Sequence, residues 1–375
     1  MNKALGIAII GTGMIGAVHR RAAALSGGVL RGVVASSPER TRAVAHEWQC
    51  EAYADADAVF ADKAIDVVHI CTPNATHHDL ARRALLAGKH VICEKPLATS
   101  LANATELATL ARDTGLVTAV PFVYRYHPMV REARARIAAG ELGALNLIHG
   151  NYLQDWLLGA NDTNWRVDAV KGGASRAFAD IGSHWCDLME WVTGERFVET
   201  VSSLRTVLAE RPAATRATFS GSADANEAKM TVTTEDIAGA LLRTNQGTLA
   251  TLTISQVSAG RKNHLWFEID GMKESLTFNQ EEPERLWVGQ RDAMQLFVKD
   301  PSQGSAEQRR LATLPAGHAQ GYADCFEAFV ADTYSQIRGE PREGLPTFAD
   351  GARSAQIVEA ILASAKQRAW TSIPA

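Results

Sequence analysis

No run of 18 or more apolar residues occurs in the 375-residue chain, which argues against a membrane-spanning helix. Positive charge is not in excess either: 38 Lys and Arg stand against 42 Asp and Glu, a net charge of −4, with no long basic run. A dedicated nucleic-acid binder needs a basic face, so neither nucleic acid nor membrane is expected as a partner. The five cysteines (Cys50, Cys71, Cys93, Cys186, Cys325) are odd in number, scattered and without a CxxC pair. That spacing supports no disulfide framework and no zinc knuckle, and it suits a reduced, cytoplasmic protein. GxxxxGK[ST] is missing, which counts against a P-loop NTPase, and HExxH is missing too.

One segment imitates a secretory leader, in which Lys3 precedes the charge-free run Ala4–Val18. Gly11, Gly13 and Gly16 interrupt that run and no small-x-small cleavage pattern follows promptly, so the N-terminus is expected to be part of the fold.

What is present is ordinary globular material, 46% apolar and 21% charged, long enough for two or three domains. The first 120 residues alternate strand-like runs (Leu5–Ile10, Val29–Ala35, Ile65–Cys71, His90–Cys93, Val117–Val120) with helix-like ones. The helical stretches are Ile15–Leu25, Pro38–Trp48, Thr76–Ala87 and Leu101–Thr114. Such alternation implies right-handed βαβ crossovers and a parallel sheet covered on both faces. After about Pro121 the texture changes. Helices are expected over Met129–Ala139, Trp185–Thr193, Gly321–Gly339 and Phe348–Arg368, and strands over Leu145–Tyr152, Val198–Leu208, Ala238–Arg243, Thr248–Gln256, Leu265–Asp270 and Ser275–Phe278. Asn245-Gln246-Gly247 and Gly271-Met272-Lys273 suit tight hairpins, so pairing there should be mostly antiparallel. Gly304–Arg310 reads as a polar surface loop. The fold class expected is α/β: a parallel-sheet Rossmann domain over 1–121, then an α+β domain over 122–375.

Gly11-Thr12-Gly13-Met14-Ile15-Gly16 is a GxGxxG that directly follows a strand and opens a helix. In that setting the first glycine permits a tight turn, the second lets backbone N–H groups approach a pyrophosphate, and the third allows close helix–strand packing. The helix N-terminus adds partial positive charge, so a dinucleotide is the expected ligand. An acidic residue after the second strand would bind the 2′-hydroxyl of NAD and repel a 2′-phosphate. Ser36 and Ser37 stand there instead, with Arg40 one turn onward, which tilts the expectation toward NADP over NAD. The competing reading is that Ser36 caps the helix beginning at Pro38.

Glu94-Lys95-Pro96 follows the strand His90–Cys93. Ligands on open α/β sheets bind outside the carboxyl ends of the strands, where a lysine can hydrogen-bond a substrate hydroxyl and stabilise alkoxide charge. The GxGxxG turn, Ile70-Cys71-Thr72-Pro73-Asn74-Ala75-Thr76-His77, and Gly88 to Leu97 with its Glu-Lys-Pro together resemble the Gfo/Idh/MocA family, the glucose–fructose oxidoreductase and inositol dehydrogenase relatives. Asp180-Ile181-Gly182-Ser183-His184 is similar to the DxGxH signature of that family's second domain, and the likeness runs from residue 5 to the last helix. The resemblance implies a two-domain dehydrogenase with an open-faced sheet in its second domain, assembled as a homodimer or homotetramer through that face. It also implies that Lys95, Asp180 and His184 are catalytic, and that Thr72, Pro73 and Asn74 border the nicotinamide with His77 and Glu94 nearby. Asn151 to Trp156, Asn164-Trp165-Arg166, Gly260 to Asn263 and Pro315 to His318 resemble the sugar- and anhydrosugar-oxidising branch, levoglucosan-type dehydrogenases included.

Oxidising a secondary alcohol requires loss of a hydroxyl proton as hydride leaves carbon. His184 has a suitable intrinsic pKa for general base or acid, Lys95 can polarise the same oxygen, and Asp180, at i−4 on a helix, can orient His184 or a sugar hydroxyl. A metal held by Asp180 and His184 with Asp187 or Glu190 is the competing arrangement; no metal is expected. Tyr124, Arg125, Gln154, Asp155, Trp156, Trp165, Arg166 and His318 offer the mixture of planar polar groups and aromatic faces that a sugar pocket uses. The activity expected is NAD(P)-dependent oxidation of a sugar, anhydrosugar or cyclic polyol. Keto-sugar reduction and non-catalytic redox sensing are the alternatives.

Overall fold

The computed structural model describes residues 4–213 and 227–374. In chain order the first elements are β1 (Leu5–Ile10), α1 (Met14–Leu25), β2 (Gly28–Val34), α2 (Pro38–Trp48), β3 (Glu51–Ala52), α3 (Ala56–Ala61), β4 (Val67–Ile70), α4 (His77–Leu86), β5 (His90–Cys93), α5 (Leu101–Thr114) and β6 (Thr118–Ala119). Then come α6 (Pro128–Ala138), β7 (Leu145–Leu153), α7 (Ala169–Gly172), α8 (Ser183–Thr193), β8 (Phe197–Arg205), β9 (Glu210–Pro212), β10 (Lys229–Thr231), β11 (Ile237–Thr244), β12 (Leu249–Ser255) and β13 (His264–Gly271). The last are β14 (Ser275–Asn279), β15 (Arg285–Gly289), β16 (Met294–Val298), α9 (Ala306–Leu311), α10 (Tyr322–Ile337), α11 (Phe348–Gln367) and β17 (Thr371–Ser372). None of the helices among the described residues is long and apolar enough to cross a membrane.

The first compact unit holds residues 1–123 and takes back Tyr322–Ala355, which lie beyond the boundary that the sequence suggests at 121. Its six strands are all parallel in the order β3-β2-β1-β4-β5-β6, so the order reverses between β1 and β4. β1 is buried along its whole length, as a central strand covered on both faces must be, and each buried Leu or Ile there contributes about 1.5–3 kcal/mol. The return of α10 has a packing cause: Phe326, Phe329, Val330 and Tyr334 form a buried stripe, and the Phe326 ring meets His19 of α1 at 4.9 Å. Phe348 and Ala352, at the start of α11, close the core around Leu97 and Val120.

The second unit holds Tyr124–Gly321 and Gln356–Ala375. Its nine-stranded sheet runs β16-β15-β14-β13-β7-β12-β11-β8-β17, antiparallel throughout except for β7 with β12. Alternation decides the faces. Ile148, Leu242, Ala250, Leu252, Ile269 and Leu276 point into a core shared with Trp185, Met189, Ile357 and Ile361. Leu241 and Leu249, on the opposite face, are exposed. Gly247 takes φ +90° in the β11–β12 turn, and Gly271 N–H bonds Glu274 O at 2.9 Å in the next hairpin.

The Gly304–Arg310 segment is not a loop. Ser305 Oγ accepts from Gln308 N at 3.2 Å and caps α9, while Gln308 and Leu311 are buried. A six-residue helix whose inward face includes a glutamine gives no apolar periodicity to read. The same shortness hides β3, α3, β9 and β10.

Candidate active site

Each glycine of the turn after β1 does a different job. Gly11 has φ +96°, and a Cβ there would sit 2.5 Å from the Cys71 carbonyl group. At Gly16 a Cβ would meet Gly11 O at 2.3 Å, so α1 can lie against the strand only because the position is bare. Gly13 differs: nothing lies within 4 Å of where its Cβ would be. It is also the N-cap of α1 and supplies no side-chain cap, whereas Ser37 and Ser100 cap α2 and α5. Uncapped N–H groups facing open space beyond β1 and β4, where the strand order reverses, fit a dinucleotide pyrophosphate. Thr12 is half-buried there, and Met14 and Ile15 begin the helix.

At the end of β2 the cap is Ser37, not Ser36: Ser37 Oγ accepts from Arg40 N at 3.2 Å. Ser36 is exposed and Arg40 is exposed, so the end of β2 presents a small hydroxyl with a nearby cation.

Beyond β4, Thr72 is half-buried, Pro73 exposed and Asn74 buried. His77 is fully buried, with Nδ1 2.8 Å from Pro96 O and Nε2 2.9 Å from Thr72 O. It therefore staples the Thr72–Asn74 turn to the Lys95–Pro96 turn, so its expected place against the cofactor is corrected to a supporting one. His78 starts α4 beside it and pairs with Glu106 at 2.9 Å. Glu94 is likewise turned inward: it accepts from His19 at 3.0 Å and from Lys95 N at 3.1 Å. Burial pushes its carboxyl up, but the His19 hydrogen bond and the Lys95 charge outweigh that, and the group sits below the ordinary range. Lys95 itself is half-exposed.

In the second unit, Phe178–Gly182 is a π-helical turn that runs directly into α8. Asp180 thus stands on a widened turn, a feature that often marks functional sites, and His184 on the first turn of the α-helix that follows it. The turn is fixed at its start by Glu235, whose Oε1 accepts from Ser175 Oγ (2.7 Å), Arg176 N (3.0 Å) and Phe178 N (2.8 Å). α8 seats on the sheet through Trp185, whose Nε1 donates to Trp266 O at 3.1 Å over the bare Cα of Gly150. Asp180 accepts from Gln256 Nε2 at 2.9 Å and lies 3.5 Å from Arg166 Nε. The His184 ring meets Tyr124 edge-on at 4.9 Å, with Tyr152 at 6.4 Å.

Around these residues the structure sorts the expected sugar contacts. Tyr124 and Tyr152 hydroxyls are 2.6 Å apart, and Asn263 Oδ1 accepts from Tyr152 (2.5 Å) and Gln154 (3.0 Å). Trp156 Nε1 donates to Gln154 Oε1 at 2.9 Å, extending the network. Arg166 lies over the Trp165 ring at 4.4 Å. Asp155 is tied to Lys262 at 2.6 Å and Gly260 N at 3.1 Å, and the Lys262 bond holds its carboxyl low. His318 is exposed on a loop anchored by Lys299 Nζ, which donates to its carbonyl at 2.7 Å.

Arg125 corrects the sequence reading. It is 4% exposed and grips Asp187 through Nε, at 2.8 Å, and a terminal nitrogen, so it is a core ion pair rather than a sugar ligand. The competing metal arrangement loses both its third ligands, because Asp187 serves Arg125 and Glu190 accepts from Phe197 N at 2.8 Å. Gln256 and Glu235 were not anticipated as site residues, whereas Asn263 ends a segment that the sugar-oxidising resemblance marks.

Residues 5–122 match the profile of an oxidoreductase family with an NAD-binding Rossmann fold, and residues 130–277 match that of the GFO/IDH/MocA C-terminal domain. Levoglucosan dehydrogenase of Pseudarthrobacter phenanthrenivorans is 29% identical over a 401-residue alignment covering 99% of this chain and 98% of that one. The scyllo-inositol 2-dehydrogenase of Bacillus subtilis is 34% identical over 139 residues, 36% of this chain and 41% of that one. Among solved structures, an oxidoreductase domain protein from Kribbella flavida superposes with a TM-score of 0.90 at 30% identity, covering all of both chains. A levoglucosan dehydrogenase complexed with NADH and levoglucosan gives 0.89 at 28%, covering 99% of this chain and 100% of that one.

Proposed function

The chain belongs to the Gfo/Idh/MocA oxidoreductase family, and from that premise we propose that it oxidises a secondary alcohol of a sugar or anhydrosugar with His184 as the general base. It is an NAD(P)-dependent dehydrogenase acting on CH–OH groups. The observation that carries the dinucleotide half is the uncapped start of α1 beside the open flank of Gly13. Gly11 to Gly16 would hold the pyrophosphate, and the bound nicotinamide supplies the hydride acceptor.

The chain's own residues do the rest. Lys95 donates a hydrogen bond to the reacting oxygen and favours its alkoxide form. His184 takes the hydroxyl proton, as a positioned imidazole does at a contribution of about 10²–10⁴-fold. Asp180, held by Gln256 and Arg166, orients the neighbouring hydroxyl. Gln154 and Trp156, joined through Asn263 to Tyr124 and Tyr152, supply donors, acceptors and an aromatic edge for the ring. The full-length likeness to levoglucosan dehydrogenase favours an anhydrosugar. NADP is the cofactor we favour, because Ser36 leaves room where a carboxylate would repel a 2′-phosphate. The open face of the nine-stranded sheet, with Leu241 and Leu249 exposed, is the surface through which we expect a homodimer or homotetramer to form.

The test is substitution. Lys95→Ala and His184→Ala should each cut turnover by about 10²-fold or more while dinucleotide affinity changes little. Wild-type turnover in either variant refutes the assignment.

A further inference from the structure

His19 of α1 is fully buried and takes part in a chain of side-chain hydrogen bonds. Its Nε2 lies 3.0 Å from Glu94 Oε1, its Nδ1 2.9 Å from His69 Nδ1, and His69 Nε2 2.9 Å from the Tyr334 hydroxyl. His69 and Tyr334 are also fully buried, and the members come from α1, β4, the loop after β5, and α10. Phe326 packs on His19 from the remaining side.

Donor counting gives the chain one direction. A carboxylate only accepts, so His19 Nε2 carries a proton. Two Nδ1 atoms face each other, so one of them donates. Burial keeps the Tyr334 hydroxyl protonated, and His69 Nε2 is its hydrogen-bond partner among the described residues, so the buried O–H donates there rather than going unsatisfied. The proton of His69 therefore sits on Nδ1, where it is given to His19. Burial also holds His69 well below the usual histidine range, as a neutral ring requires. Every donor thus points toward Glu94, and bonds aligned this way polarise one another in a low-dielectric interior.

We infer that Tyr334, His69 and His19 form a positioning relay for Lys95: they fix one oxygen of Glu94 so that the other accepts the Lys95 backbone N–H, 3.1 Å away, and sets where that lysine starts. The inference rests on the proposed role of Lys95. Its members act through Glu94 and touch no substrate.

Two variants separate the relay from bulk packing. His19→Gln places an amide nitrogen near the former Nε2 and can still donate to Glu94. His19→Asn is equally polar but reaches only the former Nδ1 position. In protein labelled with nitrogen-15 histidine and lysine, wild type should show His69 protonated on Nδ1 and His19 on Nε2. The Lys95 amide resonance should move in His19→Asn and return in His19→Gln. With levoglucosan and the preferred dinucleotide, kcat should fall about tenfold in His19→Asn, with the dinucleotide KM within about twofold, and largely recover in His19→Gln. A His69 protonated on Nε2, an unmoved Lys95 amide, or equal kcat in the two variants overturns the relay. Failure of the underlying reading looks different: Lys95→Ala would then turn over like wild type, and the role of the relay would fall although its tautomers stood.

Discussion

Removing Asp187 takes both carboxylate contacts from the Arg125 guanidinium in the core of the second unit. Both side chains are 5% exposed, and Arg125 binds both carboxylate oxygens. Its charged plane also lies 5.7 Å from the Trp191 ring, which Arg131 and Arg134 approach at 4.6 Å. Asp187→Ala therefore leaves a buried cation among two others, a loss of about 3–5 kcal/mol. For a body of this size that corresponds to a Tm drop of roughly 6–20 °C. Replacing both partners with apolar residues of similar volume, Arg125→Met with Asp187→Leu, removes the buried cation along with its carboxylate and should restore most of that loss. Thermal melts followed by near-UV circular dichroism, with turnover measured at a temperature where every variant is folded, make the comparison. The double variant should be stable and should bind sugar with a KM within a few-fold of wild type. A stable Arg125→Met single variant that loses sugar binding by 10²-fold or more would refute the reasoning and return Arg125 to the sugar ligands.

Gly13→Leu should leave stability within about 1 kcal/mol, because its Cβ enters open space, yet weaken dinucleotide binding about 100-fold or more by filling the pyrophosphate's place; calorimetric titration reads both dinucleotides. Gly11→Ala should show the reverse emphasis, with a melting loss from the strain of φ +96° and the Cys71 clash. Ser36→Asp should shift the NADP/NAD preference toward NAD, and an unchanged ratio of kcat/KM values would place cofactor discrimination elsewhere. His127 is buried and its pKa is lowered to about 3 by that burial, so the folded state stays neutral where the unfolded chain binds a proton. Stability therefore rises with pH between about 3 and 6.5, and falling from pH 6.5 to 5 should cost about 2 kcal/mol from this group. His127→Phe should lack that loss in urea melts at the two pH values.

Elements with a long period were legible. β1, α2, β5 and α5 have the expected bounds or nearly so, because buried parallel strands read as apolar runs and Ser37-Pro38 or Ser100 mark helix starts. The GxGxxG turn was legible for a different reason, since Gly11 and Gly16 answer steric demands of the surrounding backbone while Gly13 leaves the helix start open. What the sequence hid was partnership across the chain. Ser36 and Ser37 are equivalent as letters, and only the Arg40 N–H contact tells the cap from the exposed hydroxyl. Arg125 sits between two tyrosines in a segment suited to a cleft, and its burial depends on Asp187, 62 residues away. The burial of His19 has a local signal, because the buried positions of α1 are Gly16, His19, Ala22 and Ala23, a helical stripe. Its partners His69 and Tyr334 are 50 and, from His69, 265 residues distant, and no local pattern announces them.

The central claim is hydride transfer from a sugar alcohol to a nicotinamide dinucleotide. Nicotinamide absorbance of the purified protein, with NAD⁺ and NADP⁺ offered separately against levoglucosan, monosaccharides, glycosides and inositols, tests it most directly. The account predicts substrate-dependent reduction with sugars or anhydrosugars that disappears in the His184→Ala protein. Tight dinucleotide binding without reduction by any of these alcohols, and without oxidation of reduced cofactor by the corresponding ketones, would contradict it.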